Sequence, residues 1–428
     1  MRIAIVGAGL TGLTTALRLL QAGHQVSIWE AGPEPGGLAS GFKDSKWDWP
    51  LERHYHHLFT SDTSIQKLAK ELKISITFTT PKSSLLINDT IYPFDDPITL
   101  LKFPLLSPFD KLRLSASLAY LKFLPTPVQF ENTPAKQWII QHMGTNSWHL
   151  IWEPLLVGKF GNYADRISAA WFWARVYKRS RSLGYFQGGF QALVDALAEK
   201  IRQLGGKFYF STFVDKLRSQ SDTKLELLSS QGAGIYDRVV VTGPGHVLTK
   251  LVDNLPQEYL EKISWLHSLG AVNLVLALKQ SFLTDHTYWL NINQLHTPFL
   301  AVVEHTNMID SAHYGGDHLI YIGNYLPPTH EYFKLSEAQL IDIFIPHLQK
   351  INHNFKSDWI RKSWKFAAPF AQPIIPTHYN ELLPSMQTPI PHLWWSSMQH
   401  VYPWDRGTNY AVEWGEKVAK LVQESQSY

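Results

Sequence analysis

The stretch VGAGLTGLTTALRLLQAGHQVSIWE, residues 6–30, combines three glycines with an ordered apolar pattern near the start of the chain. The short apolar run 3–6 ends in glycine, which is typical of a buried parallel strand. Gly23 ends a helical pattern and residues 26–29 are predicted as the next strand. The apolar residues at helical spacing are Leu13, Ala16, Leu17 and Leu20. The stretch therefore predicts a β-α-β unit of about 30 residues.

Each glycine of the G-x-G-x-x-G pattern has a physical role in such a unit. Gly7 allows the tight turn, and Gly9 lets a pyrophosphate approach the backbone at the positive N-terminus of the helix. Gly12 lets the helix pack closely on the strand. Glu30 ends the second strand, where its carboxylate can accept hydrogen bonds from an adenosine ribose and would repel a 2′-phosphate. The unit predicts dinucleotide binding and leaves NAD and FAD both open.

A second pattern, AGPEPGGLAS, follows Glu30 and contains the paired glycines Gly36 and Gly37. The fingerprint followed by E-A-x-x-x-x-G-G resembles the flavin-containing amine oxidase superfamily, which includes protoporphyrinogen oxidases, phytoene desaturases and UDP-galactopyranose mutases. The resemblance implies a non-covalently bound FAD. Leu38 stands where the family usually has Arg, so the polar contact of that Arg near the cofactor is not expected here.

Two more segments resemble the family's other cofactor-contacting blocks. Residues 184–214 resemble the return of the chain into the flavin domain, which implies a backbone contact near Val214 with the adenine. Residues 402–422, YPWDRGTNYAVEWGEKVAKLV, resemble the second flavin-contacting turn. There Gly407 would permit close backbone approach, while Ala411 and Gly415 would keep the last helix slim beside the isoalloxazine ring. The cofactor contacts implied in this way are Gly7, Gly9, Leu10, Thr11, Gly12, Glu30, Ala31, Gly36, Gly37, Leu38, Val214, Gly243, Arg406, Gly407, Asn409 and Ala411.

The resemblance implies an α/β fold, in which a Rossmann-type FAD-binding domain carries an inserted α+β substrate domain. We predict that residues 1–60, 181–250 and 386–428 together form the FAD-binding domain. Residues 61–180 are predicted as a mainly helical insertion. Residues 251–385 contain β-rich runs bounded by turns, which predict an antiparallel sheet that floors a substrate cavity.

The composition limits the class of function. The net charge of the 428 residues is only +3, so nucleic acid is not expected as a partner. The chain contains no cysteine, which excludes disulfides, thiolate metal sites and a cysteinyl bond to a cofactor. Because the sequence shows neither a signal-like leader nor an apolar run of about 18 residues, we expect a cytoplasmic location.

Residues 99–124, TLLKFPLLSPFDKLRLSASLAYLKFL, mix leucine and phenylalanine with lysine and arginine. One interpretation is a helix that lies on the inner face of a membrane, since basic residues flank an apolar face. The other is an ordinary amphipathic helix that covers the domain. From the sequence alone we favour the second.

Candidates for catalysis are few, because flavin chemistry demands no side-chain catalyst. His56 and His57, in the run RHYHHLF, are the candidates, since the run partly resembles a histidine-containing segment beside the flavin in the mutase branch. A metal site is not expected there, because successive residues of a strand point in opposite directions. The lysine that amine oxidases commonly place near flavin N5 has no counterpart in residues 270–274, which argues against a simple amine oxidase.

The substrate candidates lie in and near the run WARVYKRSRS. Its four cations, of which Arg175 is the main candidate, could bind a phosphate or diphosphate, although we favour a solvated basic face. Trp173 could line a cavity or fill a core, and Tyr185 is the third candidate.

Three functions remain open. The leading one is an FAD-dependent oxidoreductase that removes hydride from an apolar or partly apolar, lipid-like small molecule. The alternative is a mutase-like flavoenzyme that acts on a nucleotide-sugar without net redox, which would explain the HHLF run and the cluster of cations. The third is a flavin-binding protein without catalytic activity.

Overall fold

The structure of the protein, a computed structural model, describes residues 1–425. Its strands are β1 (Arg2–Val6), β2 (Gln25–Trp29), β3 (Gly41–Phe42), β4 (Leu51–Glu52), β5 (Leu58–Phe59), β6 (Ile76–Thr79), β7 (Lys82–Ile87), β8 (Thr90–Pro93), β9 (Leu183–Phe186), β10 (Lys207–Tyr209), β11 (Val214–Ser221), β12 (Lys224–Ser229), β13 (Gly232–Tyr236), β14 (Arg238–Val241), β15 (Ser268–Leu278), β16 (Thr287–Ile292), β17 (Ala301–Glu304), β18 (His318–Leu326), β19 (Ile360–Pro373) and β20 (Leu393–Trp395). Its helices are α1 (Leu10–Gln21), α2 (Thr63–Glu71), α3 (Pro97–Lys102), α4 (Pro108–Phe123), α5 (Ala135–Met143), α6 (Thr145–Ser147), α7 (Glu153–Phe160), α8 (Ala169–Lys178), α9 (Gly189–Gln203), α10 (Gly245–Leu251), α11 (Gln257–Trp265), α12 (Glu337–Ile351), α13 (Tyr379–Leu382) and α14 (Thr408–Glu424).

A parallel sheet of five strands, in the order β10-β2-β1-β14-β20, forms the first layer. All four of its strand pairs are parallel, which requires crossover connections. The first crossover is α1, which packs against both α9 and α14. The strands are short and apolar because helices bury them, as Ile3, Ile5 and Val240 show with no exposed surface. The predicted β-α-β unit and the α/β fold class are confirmed.

A second sheet has seven strands in the order β19-β15-β18-β17-β16-β7-β8. Its pairs are antiparallel except β16 with β7, where Leu290 lies opposite Ser84 in a parallel register. The interval 61–180, which we predicted as mainly helical, therefore also supplies two strands. The reason is long-range pairing, which the local pattern of residues 82–93 does not reveal. We keep the three-part FAD-binding domain as a proposal and place β7 and β8 with the sheet of the substrate domain.

Helices α3 to α8 form a layer in which α8 packs against α4 and α5. The predicted helix over 99–124 is in fact two helices, α3 and α4, because Pro104 and Pro108 interrupt the run. Ser107 caps α4 by accepting a hydrogen bond from the Asp110 N–H. Within residues 1–425, no helix has both the length and the hydrophobicity that a membrane crossing needs.

A buried carboxyl group, Glu52 of β4, has hydrogen-bond partners on three other elements, α9, β9 and β18. Its side chain accepts hydrogen bonds from the Phe190 N–H (2.7 Å) and from the Tyr185 hydroxyl (2.8 Å). Its carbonyl oxygen accepts one from the hydroxyl of Tyr321 on β18 (2.7 Å). Burial raises the pKa of Glu52 to about 7, although the hydrogen bonds oppose this shift. Glu52 thus joins α9 and β9 to the seven-stranded sheet.

Candidate active site

The turn between β1 and α1 shows which glycines the fold itself requires. Gly7 has a φ of 105°, and a Cβ there would lie 2.6 Å from Thr242 Oγ1. A Cβ on Gly12 would lie 2.0 Å from the Gly7 carbonyl oxygen. Gly9, in contrast, has φ and ψ angles of −71° and 172°, which any residue adopts. A Cβ on Gly9 would have no atom of the described chain within 4 Å, apart from its neighbours in the chain. The fold does not explain Gly9, but a ligand against the N-terminus of α1, where Leu10 and Thr11 begin the helix, does.

The loop after β2 forms the second wall of this space. The Gly36 N–H donates to the Ala8 carbonyl oxygen (2.8 Å), and a Cβ on Gly37 would lie 3.2 Å from Gly9 Cα. Both Gly36 and Gly37 have positive φ angles, 123° and 57°. Leu38 follows, half-buried, in the position where the family usually has Arg.

The Glu30 carboxylate binds backbone N–H groups of the β1–α1 turn and of the loop after β2. Its Oε2 accepts a hydrogen bond from the Ala8 N–H (2.7 Å) and its Oε1 accepts one from the Gly32 N–H (2.8 Å). Each carboxylate oxygen retains a second lone pair, so Glu30 can still accept from ribose hydroxyls. The Thr212 N–H donates to the Glu30 carbonyl oxygen, which brings the chain that leads to Val214 alongside this acid, next to exposed Ala31.

The N-terminus of α14 forms the far end of the same cleft. Gly407 precedes this helix. Apart from its neighbours in the chain, the only described atom within 4 Å of a Cβ on Gly407 would be Tyr410 Cδ2, at 3.9 Å. Asn409 does not present its side-chain oxygen to this space, because that oxygen caps α2 by accepting from the Ser64 N–H (2.9 Å). Ala411 is half-buried one turn along, and Gly243 uses its carbonyl oxygen to accept from Trp395 Nε1.

Gly415 differs from its expected role. A Cβ there would lie 2.7 Å from the Thr11 carbonyl oxygen and 2.8 Å from Thr14 Cβ, both on α1. The glycine therefore allows α14 to lie against α1, and the Thr15 hydroxyl donates to its carbonyl oxygen (3.2 Å). The expectation that it keeps the helix slim beside a flavin ring was wrong, because its missing side chain faces another helix.

A cavity begins at Gly407 and extends between α7, α8 and the seven-stranded sheet. Its apolar part is formed largely by Trp152, Leu155, Leu156, Trp171, Phe172, Trp289 and Leu300. Its cations are Lys159, Arg175, Lys178, Arg179 and Arg406. Among the described residues, only two carboxylic acids, Asp62 and Asp405, line it. The cavity therefore combines an apolar lining with an excess of positive charge.

Asp405 pairs with two of the cations of the cavity. Its carboxylate accepts from Lys159 Nζ (2.7 Å), Arg175 (2.9 Å) and Trp171 Nε1 (3.2 Å). Burial opposes its ionisation, but Lys159 and Arg175 hold the pKa of this carboxyl well below its usual range. Burial lowers the pKa of Lys159 to about 7, although Asp405 favours the charged form. Two cations thus share one anion.

The remaining cations differ in their partners. Arg406 donates to Gln372 Oε1 (3.0 Å) and to the Tyr325 hydroxyl, so it belongs to the cavity wall. Lys178 Nζ lies 4.6 Å from the centre of the Trp404 ring. Within residues 1–425, neither Lys178 nor Arg179 forms a salt bridge with a carboxylate. Desolvation and the neighbouring Arg175 lower the pKa of Arg179 to about 10, so it stays charged at neutral pH.

The two candidate histidines both line the cavity. His57 Nδ1 lies 3.2 Å from the Tyr288 hydroxyl, and His56 Nδ1 lies 2.5 Å from the His54 carbonyl oxygen. Burial lowers the pKa of His56 to about 4 and that of His57 to about 3. Either histidine is therefore neutral at pH 7 and can exchange hydrogen bonds, but it adds no positive charge.

Of the three substrate candidates, only Arg175 lines the cavity. Trp173 lies in the core with no exposed surface, stacks on Tyr177 and donates from Nε1 to the Leu124 carbonyl oxygen. The Tyr185 hydroxyl donates a hydrogen bond to the buried Glu52 carboxylate. The predictions that Trp173 and Tyr185 contact the substrate were therefore not supported. An aromatic residue in the sequence can face a cavity or the core, and the sequence does not show which.

Sequence reasoning did not identify Lys159 and Asp405 as a pair, although both line the cavity. They are separated by 246 positions and lie in segments without a recognisable spacing. The run WDRG before α14 was the only local indication of this pair, because it places an acid and a base directly before the N-terminus of a helix.

A dinucleotide cradle on a parallel sheet, joined to a large cavity on a mixed sheet, defines a two-part cofactor-dependent enzyme of the α/β class. The family model described as "Flavin containing amine oxidoreductase" matches residues 10–423, so the chain belongs to that family. Its cofactor is accordingly FAD, as expected, and the open space at Gly9 and Gly407 fits that ligand.

Two curated relatives show how far the similarity reaches. The coproporphyrinogen III oxidase of Staphylococcus aureus is 25% identical over 289 residues, which are 57% of this chain and 61% of that protein. The 15-cis-phytoene desaturase of Synechococcus elongatus is 36% identical over 93 residues, 22% of this chain and 19% of that protein. The matches thus span less than two thirds of each of these relatives.

Solved structures match the whole fold. An oxidoreductase from Methanosarcina mazei has a TM-score of 0.77 at 17% identity, with 98% of this chain and 100% of that chain covered. A reduced UDP-galactopyranose mutase has a TM-score of 0.74 at 15% identity, with 98% and 96% covered. At these identities the likeness concerns the fold alone.

Replacing Gly9 with valine tests whether the space beside it is the pyrophosphate site. We expect Gly9→Val to leave the urea unfolding curve of the FAD-free protein within about 0.5 kcal/mol of the wild type, because the side chain has room. FAD binding, followed by fluorescence titration, should be lost. Gly7→Ala is the contrast and should impair both folding and binding. Wild-type FAD affinity in Gly9→Val would show that the phosphates lie elsewhere.

Proposed function

We propose that this protein is an FAD-dependent oxidoreductase that removes a hydride from an amphiphilic organic anion. The observation that carries the proposal is the cavity, in which five cations and two carboxylic acids adjoin an aromatic and aliphatic wall. A buried excess of positive charge is costly unless an anion compensates it. An apolar wall in the same cavity favours a substrate with an apolar body.

The five cations divide into a fixed pair, a free pair and Arg406, which is bound to Gln372 and Tyr325. Lys159 and Arg175 are held by Asp405, so they are already partly neutralised. Lys178 and Arg179, at the end of α8, are without a carboxylate partner in the described chain and are therefore available to the anionic group of a substrate. An arginine can bind a carboxylate or phosphate through two parallel hydrogen bonds, which would fix the orientation of the substrate.

The rest of the cavity would hold the apolar body and exclude water. Trp152, Phe172 and Trp289 offer flat surfaces for a ring or an unsaturated chain. When bound, FAD supplies a two-electron acceptor that takes up hydride. The open N-terminus of α14 would favour negative charge at its own end of the cavity. His56 and His57, both neutral, can exchange hydrogen bonds with a substrate group within reach.

The relatives support the redox side of the proposal. The Staphylococcus aureus relative is named an oxidase of coproporphyrinogen III, and the Synechococcus relative is named a desaturase. Both names describe oxidation, and both proteins match parts of this chain. The charge of the cavity argues against a substrate without an anionic group.

A mutase-like reaction on a nucleotide-sugar is the second candidate. The cavity presents Arg175, Arg179 and Arg406 together with Tyr55 and Tyr325, which suits a diphosphate. Such a reaction rearranges a sugar with no net redox change. The substrate side of the cavity therefore fits both candidates, and electron transfer from the substrate distinguishes them.

Anaerobic mixing of the FAD-loaded protein with candidate substrates provides that distinction. With coproporphyrinogen III or a related amphiphilic anion, we expect the flavin absorbance near 450 nm to decrease, because the substrate gives up two electrons. Isomerisation of UDP-galactopyranose by the chemically reduced protein alone would favour the mutase. Neither response would favour a binding protein without catalytic activity.

The role of Arg179 in anion binding can be tested without knowing the substrate. Naphthalenesulfonate combines an aromatic body with a permanent negative charge, and its binding can be measured by calorimetry. We expect Arg179→Gln to raise its Kd about 10-fold or more, since a hydrogen bond to a charged group contributes about 1.5–3 kcal/mol. Arg181→Gln, two positions further and bridged to Asp96 outside the cavity, should bind like the wild type. Equal affinity in the two variants would contradict the assignment.

The pKa of Lys159 predicts a pH dependence for the same probe. Because Lys159 loses its proton as the pH rises through about 7, the cavity loses a positive charge on the alkaline side. We expect the Kd of naphthalenesulfonate to rise several-fold between about pH 6 and about pH 9. Lys159→Met should bind more weakly at the acid end and show a flatter profile. A wild-type affinity that increases with pH would contradict the prediction.

A further inference from the structure

Helix α4 turns its apolar side chains toward solvent. Phe109 and Leu112 are each 69% exposed and Phe123 is 84% exposed. These residues and Tyr120 are separated by three, eight and three positions, so they lie on one face of the helix. The opposite face contacts the protein through Leu114 and Leu121. The helix is therefore apolar on both faces, unlike an ordinary amphipathic surface helix.

The exposed apolar surface continues beyond α4. Helix α3 and the segments on either side of α4 add four more large apolar residues, each more than a third exposed. We name the whole surface the α3–α4 face; it consists of Ile98, Leu101, Leu105, Phe109, Leu112, Tyr120, Phe123 and Val128. A large exposed apolar patch of this kind usually marks a binding surface.

The segment that carries this face is positively charged. Residues 97–130 contain four cations and a single acid, Asp110. Asp110 is buried and its carboxylate accepts from the Ser107 hydroxyl (2.8 Å) and from Asn146 Nδ2 (3.0 Å), so it does not face outward. The cations of the segment are Lys102, Lys111, Arg113 and Lys122. Asp95 and Asp96 precede the segment and Glu131 follows it, so the excess of positive charge belongs to the segment itself.

We propose that the α3–α4 face docks on a membrane surface that carries anionic lipid headgroups. The apolar side chains would enter the boundary between headgroups and acyl chains, and the lysines would meet the lipid phosphates. A second copy of the chain on the same face would bring cations against cations, which is unfavourable. The charge pattern therefore favours a lipid surface over self-association.

The face is held rigidly by the protein behind it. Arg113 donates to the His142 carbonyl oxygen (2.8 Å), and Lys122 Nζ donates to the carbonyl oxygens of Tyr177 (2.9 Å) and Arg179 (2.7 Å). Because α4 packs on α8 and Arg179 lines the cavity, the docking face lies one helix away from the cavity. Docking thus needs no rearrangement of α4.

Vesicle flotation of the full, FAD-loaded chain tests the proposal. We expect the protein to float with phosphatidylcholine vesicles that contain phosphatidylglycerol, and much less with phosphatidylcholine alone, and salt should weaken the binding. The triple variant Phe109→Ser, Leu112→Ser and Phe123→Ser should reduce the partition coefficient at least about 10-fold. Phe213→Ser, at a residue 63% exposed elsewhere on the surface, is the matched control and should bind like the wild type.

The flavin spectrum and circular dichroism of each variant establish that it is folded. A wild-type protein that does not bind anionic vesicles would overturn the proposal, and so would a triple variant that binds them unchanged. A dimer in light scattering that the triple variant converts to a monomer, without vesicle binding, would show that a second copy covers the face. None of these results depends on the substrate, so they are independent of the proposed oxidoreductase function.

Discussion

The contact between the first turn of α1 and the end of β1 is the constraint on which the rest of the structure depends. A Cβ on Gly12 would lie 2.0 Å from the Gly7 carbonyl oxygen, so the helix can approach the strand only without that side chain. The approach places the free N–H groups of α1 at the carboxyl edge of the parallel sheet. Helix α14 then lies along α1 at Gly415, and Arg18 bridges Glu71 of α2 and Glu416 of α14. Two helix N-termini are thereby directed at one cleft, and their partial positive charges suit a cofactor with phosphates at one end and an electron-accepting ring at the other.

The cofactor cleft and the substrate cavity are joined by three consecutive residues. Asp405 pairs with Lys159 and Arg175, Arg406 contacts the seven-stranded sheet through Tyr325, and Gly407 opens α14. An anion that binds among these cations would compete with Asp405 for Lys159 and Arg175. Any movement of Asp405 would be transmitted within two residues to the helix N-terminus beside the flavin site. The charge of a substrate bound there would therefore act on residues next to the N-terminus of α14.

The local parts of this structure could be predicted from the sequence, whereas the long-range parts could not. The β-α-β unit follows from the spacing of residues that are neighbours in the chain. The pairing of β7 with β16, the Lys159–Asp405 ion pair and the junction at Glu52 each join segments that no local pattern connects. Periodicity was incomplete at α4 for a physical reason. It shows that a helix has apolar residues, but only packing decides which of them are buried. Leu114 and Leu121 cover the domain as in the amphipathic helix that we favoured, whereas Phe109, Leu112 and Phe123 are exposed.

The helical layer exposes charge inside and apolar surface outside. Toward the interior, α8 presents Arg175 and Lys178 to the cavity beside Trp171, and Arg179 follows the helix. Toward the outside, α4 presents Phe109, Leu112 and Phe123, where charged side chains would normally lie. Arg175 is paired with Asp405, whereas the desolvated Arg179 forms no salt bridge within residues 1–425, and the outer apolar surface remains hydrated in water. An anionic ligand inside would offset the first cost and a lipid surface outside would remove the second. A cavity for an amphiphilic anion next to a lipid-binding face would also shorten the aqueous path of a poorly soluble substrate.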